Sequence, residues 1–146
     1  IVIVIIGILA AVALPRFISV TSNAYTAANA GTAGGLGSGV ALAHAMWIIG
    51  GTGGAGAVSM EGAPTIAVNN SGWPKGTLNT DCANAWNVMQ NPPTVSTASG
   101  TSIDYVAAVG GSPPVCTFTY QHGSAGTRTI TYNPANGNVS YSPSSP

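Results

Sequence analysis

The first fourteen residues, IVIVIIGILAAVAL, carry no charge and no polar side chain, and Pro15 and Arg16 end the run abruptly. Every charged residue, both cysteines and every aromatic lie beyond it. The chain therefore divides into an apolar spike and a polar body. As a helix the run spans roughly 21 Å, short of the roughly 30 Å of a bilayer's hydrocarbon core, which takes about 20 residues. Taken alone it suits the apolar stretch of a secretory signal, and Ala11-Val12-Ala13 has the small residues of a cleavage site. A chain that opens on Ile rather than Met is expected to have had residues before Ile1. About six or seven more apolar ones there would complete a span.

Gly7 and Pro15 bracket the second half of the run. Proline lacks an N–H and clashes with the carbonyl four residues back, that of Ala11, and glycine weakens a helix interior. Beyond Pro15 the pattern stays helical but the residues become small. Phe17, Val20, Ala24, Ala27, Ala28 and Gly31 fall three or four apart and form one stripe, suited to a close approach by a sheet or by neighbouring helices. A glycine cluster at Gly31, Gly34, Gly35, Gly37 and Gly39 follows. Val40, Ala43, Ala45, Met46 and Trp47 then resume the apolar pattern up to the Gly50-Gly51 stop. The expectation is one helix of about 48 residues.

The body reads as α+β. Gly50 to Gly62 is expected to be a flexible loop, and Thr65 to Val68 a short strand. Asn69 to Gly76 is turn chemistry around Trp73. Thr80 or Asp81 caps a short helix, Cys82 to Gln90, with Ala85, Trp86 and Met89 on one face, and Val95 to Ser102 is expected to be loop. Four β-rich runs close the chain: Ile103 to Val109, Val115 to Tyr120, Thr127 to Tyr132 and Val139 to Tyr141. Turn residues, including His122-Gly123-Ser124, separate them, so an antiparallel meander of about four strands is expected, one face on the small-residue stripe. The division is a spike at 1–15 and a body at 16–146, the latter made of helix (16–49), loop and short helix (50–102) and sheet (103–141). The tail from Ser142 to Pro146 is expected to be mobile.

Only 4% of the 146 residues are charged, with three cations, three acids and zero net charge, against about 25% charged in ordinary soluble domains. Arg16, Lys75 and Arg128 lie too far apart in sequence to form a basic face for nucleic acid. Such a surface has little charge repulsion to keep copies apart, which suits a subunit covered by its neighbours. Catalytic and metal chemistry find no foothold. His44 reads as packed on the helix and His122 as exposed in a turn. Glu61, Asp81 and Asp104 form no carboxylate cluster, and no nucleophile elbow occurs. GGTGGAG at 50–56 lacks the Lys-Ser/Thr of a phosphate loop. The aromatics read as packing. No cofactor is implied, and the chain is not expected to be an enzyme.

The run IVIVIIGILAAVALPRF resembles the N-terminal helix of type IV pilins, whose mature chains open with a methylated Phe and then TLIEL. In that register about seven residues would precede Ile1, and the glutamate used in assembly would lie three positions before it. Further along, AHAMWIIGG, GWP, DCANAWNVMQNPPT, CTFTY and ITYNPANGNV are similar, in that order, to mannose-sensitive haemagglutinin-type pilins. The resemblance implies the pilin fold, a helical homopolymer and a role in surface adhesion and motility. Ile1, Val2, Ile3, Val4, Ile5, Ile6, Ile8, Leu9, Val12 and Leu14 would pack the filament core. Gly7 and Pro15 would mark a stretch that loses helix in an assembled filament, the alternative being a simple proline kink. The implied partners are identical subunits, the bacterial inner membrane before assembly and the pilus assembly machinery, with a surface glycan or host ligand as a further candidate. The implied location is the inner membrane and then an extracellular pilus. In an exported chain Cys82 and Cys116 most simply read as one disulfide, adding about 3–4 kcal/mol; two buried free thiols are the alternative. Secretion pseudopilins and minor pilins share the spike, but major pseudopilins bind calcium through acidic C-terminal loops, and no Asp or Glu follows Asp104. A monomeric carbohydrate-binding module on a membrane tether is a third reading of the body.

Overall fold

A computed structural model describes residues 1–51, 53–122 and 128–143, and of 14–19 the backbone alone. Its fold is α+β. Helix α1 runs without interruption over Val2–Ile49, 48 residues, through both Gly7 and Pro15. In the single chain, then, the bracketed stretch is helical; the loss of helix expected there concerns the assembled state. The helix stops at Gly50, whose N–H donates to the carbonyl of Met46, and Gly51 follows in the left-handed region (φ 64°).

Two small elements depart from the sequence reading. Gly56–Val58 (β1) is a strand rather than loop, and it pairs antiparallel with Ile66–Val68 (β2). Val58, Ile66 and Val68 turn inward and are buried, which is what orders so glycine-rich a segment. The short helix α2 covers Asn79–Ala85 and continues as a 3-10 turn over Trp86–Val88. It therefore starts and ends earlier than the Cys82–Gln90 expectation. Asp81 lies inside the first turn instead of before it, where its carboxylate accepts from the Thr77 and Leu78 N–H groups and the Thr77 hydroxyl. A carboxylate at that place satisfies free amides and the helix dipole together.

The main sheet has five strands in sequential order: β3 (Val95–Ser96), β4 (Tyr105–Gly110), β5 (Val115–Tyr120), β6 (Thr129–Tyr132) and β7 (Val139–Ser142). Strands β4 to β7 form the antiparallel meander, whereas β3 pairs parallel with β4. The extra strand corrects the four-strand expectation and the reading of Val95–Ser102 as wholly loop. Its sequence is too short and polar to announce itself. Thr94 secures it, donating its N–H and hydroxyl to Asp104 and accepting the Asp104 N–H. Thr127 and the Gly123-Ser124 turn lie outside the described residues, as does the end of the tail, and Ser142 belongs to β7.

Alternation along the strands sends Tyr105, Ala107, Cys116, Phe118, Ile130 and Tyr132 inward, all buried, while Thr117, Thr119, Thr129 and Thr131 face out as cross-strand pairs. Helix α1 lies over the β6–β7 side of the inner face, and α2 over the β4–β5 side. Trp86 fills the space between, its ring centroid 4.4 Å from Phe118 and 4.7 Å from Tyr105, with its N–H on the carbonyl of Pro93. A disulfide joins Cys82 to Cys116, with Cα atoms 5.5 Å apart, and ties α2 to β5.

Candidate assembly surface

The sheet covers only the second half of α1. The side chains that meet the body are Ser22, Tyr25, Thr26, Asn29, Ala33, Leu36, Val40, Ala43 and Trp47, spaced three and four apart on one face. The stripe expected there (Val20, Ala24, Ala27, Ala28 and Gly31) is exposed, on the opposite side of the helix. Of that stripe, Phe17 lies where only the backbone is described. Apolar periodicity pointed to the wrong face because the first two turns of the true interface are polar.

That polar interface is built around two side chains. Asn29 is buried, accepting from the Tyr105 hydroxyl at 3.0 Å and donating to the Thr129 carbonyl. Arg128 is also buried; its guanidinium donates to the Thr26 hydroxyl and to the Ser22 hydroxyl and carbonyl, and lies 5.6 Å above the Tyr25 ring. No carboxylate is paired with it among the described residues. The Thr26 hydroxyl in turn donates to the Ser22 carbonyl, so the buried cation is held by a small network of hydroxyls, a carbonyl and a π-face. It pins the start of β6 to α1 at Ser22–Thr26. Sequence reading missed it, since an isolated arginine in a polar segment looks like surface.

Ahead of this clamp the helix stands alone. Its apolar stretch, Val2–Ala13, is shorter than a full membrane span. Ile1, Val2, Ile3, Val4, Ile5, Ile6, Ile8, Leu9 and Val12 are exposed, from 52% at Ile5 to 99% at Ile1. Nothing lies within 4 Å of a Cβ built on Gly7. The side chains of Leu14 and Pro15 lie outside the described residues. The exposed apolar line continues along the outer face of the body at Val20, Leu42, Met46 and Ile49. By length and composition Val20–Ile49 is also apolar enough to cross a membrane, and Val2–Ala13 is a shorter apolar stretch. Leu36, Val40 and Ala43 are buried against the body, however. The part of α1 free to enter an apolar medium is therefore its first half.

The remaining chemistry-bearing residues fall at two separate places. His44 stacks on Trp73 at 3.8 Å between centroids and lies 5.7 Å from Trp47. Its Nδ1 is the one buried side-chain polar atom without a partner among the described residues. Gly72 and Gly137, both in the left-handed region, admit this stack. A Cβ on Gly72 would run into Trp47 and the His44 ring, and one on Gly137 into Trp73. His122, expected to be merely exposed, pairs instead with Asp104 at 3.2 Å. The Thr94 hydroxyl bonded to Asp104 holds its carboxyl below the usual range, helped by the Thr94 amide and by His122. Burial pushes the phenols of Tyr105, Tyr120 and Tyr132 up. Among the described residues no three His, Cys, Asp or Glu side chains come together.

Comparison with family models, with curated proteins and with solved structures finds no match for this chain.

Proposed function

We propose that this chain is the major structural subunit of a type IV pilus, a helical homopolymer packed through its apolar N-terminal helix. One observation carries the reading: nine large apolar side chains on a continuous helix have no contact that covers them in their own chain. Fully hiding nine such side chains is worth on the order of 15–25 kcal/mol, at least as much as the roughly 5–15 kcal/mol by which a domain is stable overall. Lipid supplies that cover before assembly, and the corresponding helices of other copies supply it afterwards. The inner membrane is thus the first location and an extracellular fibre the second, with the assembly machinery moving subunits between them. The α+β body on the outer half of the helix, in the pilin arrangement, forms the fibre's surface and the contacts for adhesion, to a glycan or another host ligand. Its scarcity of charge fits a surface shared with neighbouring bodies.

The test compares the full chain with a chain lacking residues 1–15. The truncated chain loses only the helical signal of the deleted residues, keeps its cooperative melt and gives no fibres by negative-stain electron microscopy, while the full chain gives long uniform ones. Normal fibres from the truncated chain would falsify the proposal.

A further inference from the structure

We infer that Glu61 of one copy and Lys75 of a neighbouring copy form the ionic contact that fixes the register between bodies, an inference that rests on the homopolymer proposed above.

The argument begins with what each charge is doing. Asp104 is engaged by Thr94 and His122, and Asp81 by Thr77 and the Leu78 amide. Arg128 is buried against α1. The side chain of Arg16 is outside the described residues. Glu61 and Lys75 remain. Among the described residues neither side chain makes a hydrogen bond or an ion pair, and they do not pair with each other. Their backbones, in contrast, are held firmly. The Glu61 carbonyl accepts from the Gln90 side chain at 2.8 Å. The Lys75 N–H donates to the Ala67 carbonyl at 2.9 Å, between Pro74, whose carbonyl takes the Tyr132 hydroxyl, and Gly76, packed against Pro134. With the backbones already fixed, a partner has only the side chains to order.

Placement identifies the partner as a second copy. Glu61 lies in the β1–β2 turn beside the end of the 3-10 turn, and Lys75 beside the β6–β7 turn. Glu61 and Lys75 sit beside different neighbours in one body, and in the homopolymer proposed above a head-to-tail repeat of their contact carries it from copy to copy. On a surface with so few charges Lys75 is the one uncommitted cation, and so the one complement of Glu61, among the described side chains. Opposite charges that meet at one place and are left unpaired at every other favour one register, as charge pairs do across other interfaces.

Two experiments on the full chain test this. Fibre yield is measured for wild type, Glu61→Lys, Lys75→Glu and the doubly swapped chain, with melts of each subunit in detergent confirming the fold. Each single reversal should lower yield at least tenfold, and the swap should restore it. Second, fibres grown from mixed isotopically labelled and unlabelled subunits are treated with a carbodiimide, which joins a carboxylate directly to an amine it touches. Mass spectrometry should then find Glu61 of one copy linked to Lys75 of another. Fibres that form in wild-type yield from both single reversals, or that yield no such link, overturn the inference and leave the homopolymer standing. Wild-type subunits that form no fibres overturn the homopolymer, and this contact with it.

Discussion

At the scale of single residues, the strongest individual constraint is the bond from Cys82 to Cys116, which closes a loop of 34 residues' separation. On the chain-entropy account, opening it removes roughly 4 kcal/mol. A Cys82→Ala/Cys116→Ala chain should therefore melt well below the oxidised protein, and reductant should lower the wild-type melt towards the same value. Asp104 gives a pH-dependent counterpart. Its folded carboxyl titrates below its ordinary value of 3.8 because Thr94 and then His122 favour the charged form. Its contribution to stability is thus full above that ordinary value and lost as pH falls through the lower folded one. In Asp104→Asn that part of the loss is already taken. Thermal melts between pH 6 and pH 2.5 should fall less steeply for this variant than for wild type; parallel curves would mean that the Thr94 bonds carry no linkage. Both cysteines were readable as a pair from their number and context. The Asp104–His122 contact was not, because it sits at the open end of the β4–β5 hairpin and depends on a register that the strand period does not fix.

At the scale of elements, the long helix was readable from its composition and its Gly50-Gly51 stop, yet between Val20 and Gly31 its inner and outer faces were interchanged, while Val40 and Ala43 do face the body. Small residues at regular spacing suggest a close approach but do not say to what. The structure separates their roles. A Cβ on Gly39 would sit 2.6 Å from the Val88 carbonyl, so this glycine lets the 3-10 turn lie against the helix. Gly31 and Gly34 meet nothing within 4 Å. Gly39→Ala should therefore destabilise the subunit by about 1–3 kcal/mol through overpacking. Gly34→Ala should stabilise it by up to about 1 kcal/mol, since alanine is the better helix former and the space is open. Urea denaturation of the two variants checks both signs. The same physics accounts for the strands: β5 and β6 were visible in the alternation of Phe118, Tyr120, Ile130 and Tyr132 with threonines. Strand β1 hides in Gly-Ala-Val, where only the burial of Val58 marks it as a strand.

At the scale of the whole molecule, the division seen in the first fourteen residues is physical as well as compositional. One half of α1 is a scaffold for the sheet, and at its other end the large apolar side chains described from Ile1 to Val12 are exposed. The truncated chain proposed above should accordingly partition into the aqueous layer of a detergent phase separation, and the full chain into the detergent layer. What the chain's composition could not convey is where the body takes hold of its helix. That grip begins at Ser22 through Arg128, a residue whose burial needs the folded sheet to be seen. The direction of the grip has a mechanical consequence. The contacts from Ser22 to Trp47 lie along the helix axis, so tension applied at the bare end along that axis shears all of them at once. A sideways pull peels them one after another, starting at the arginine. A subunit held this way is stiff when its tether is drawn lengthwise and weak when it is bent, which is the anisotropy a rope strand under load requires.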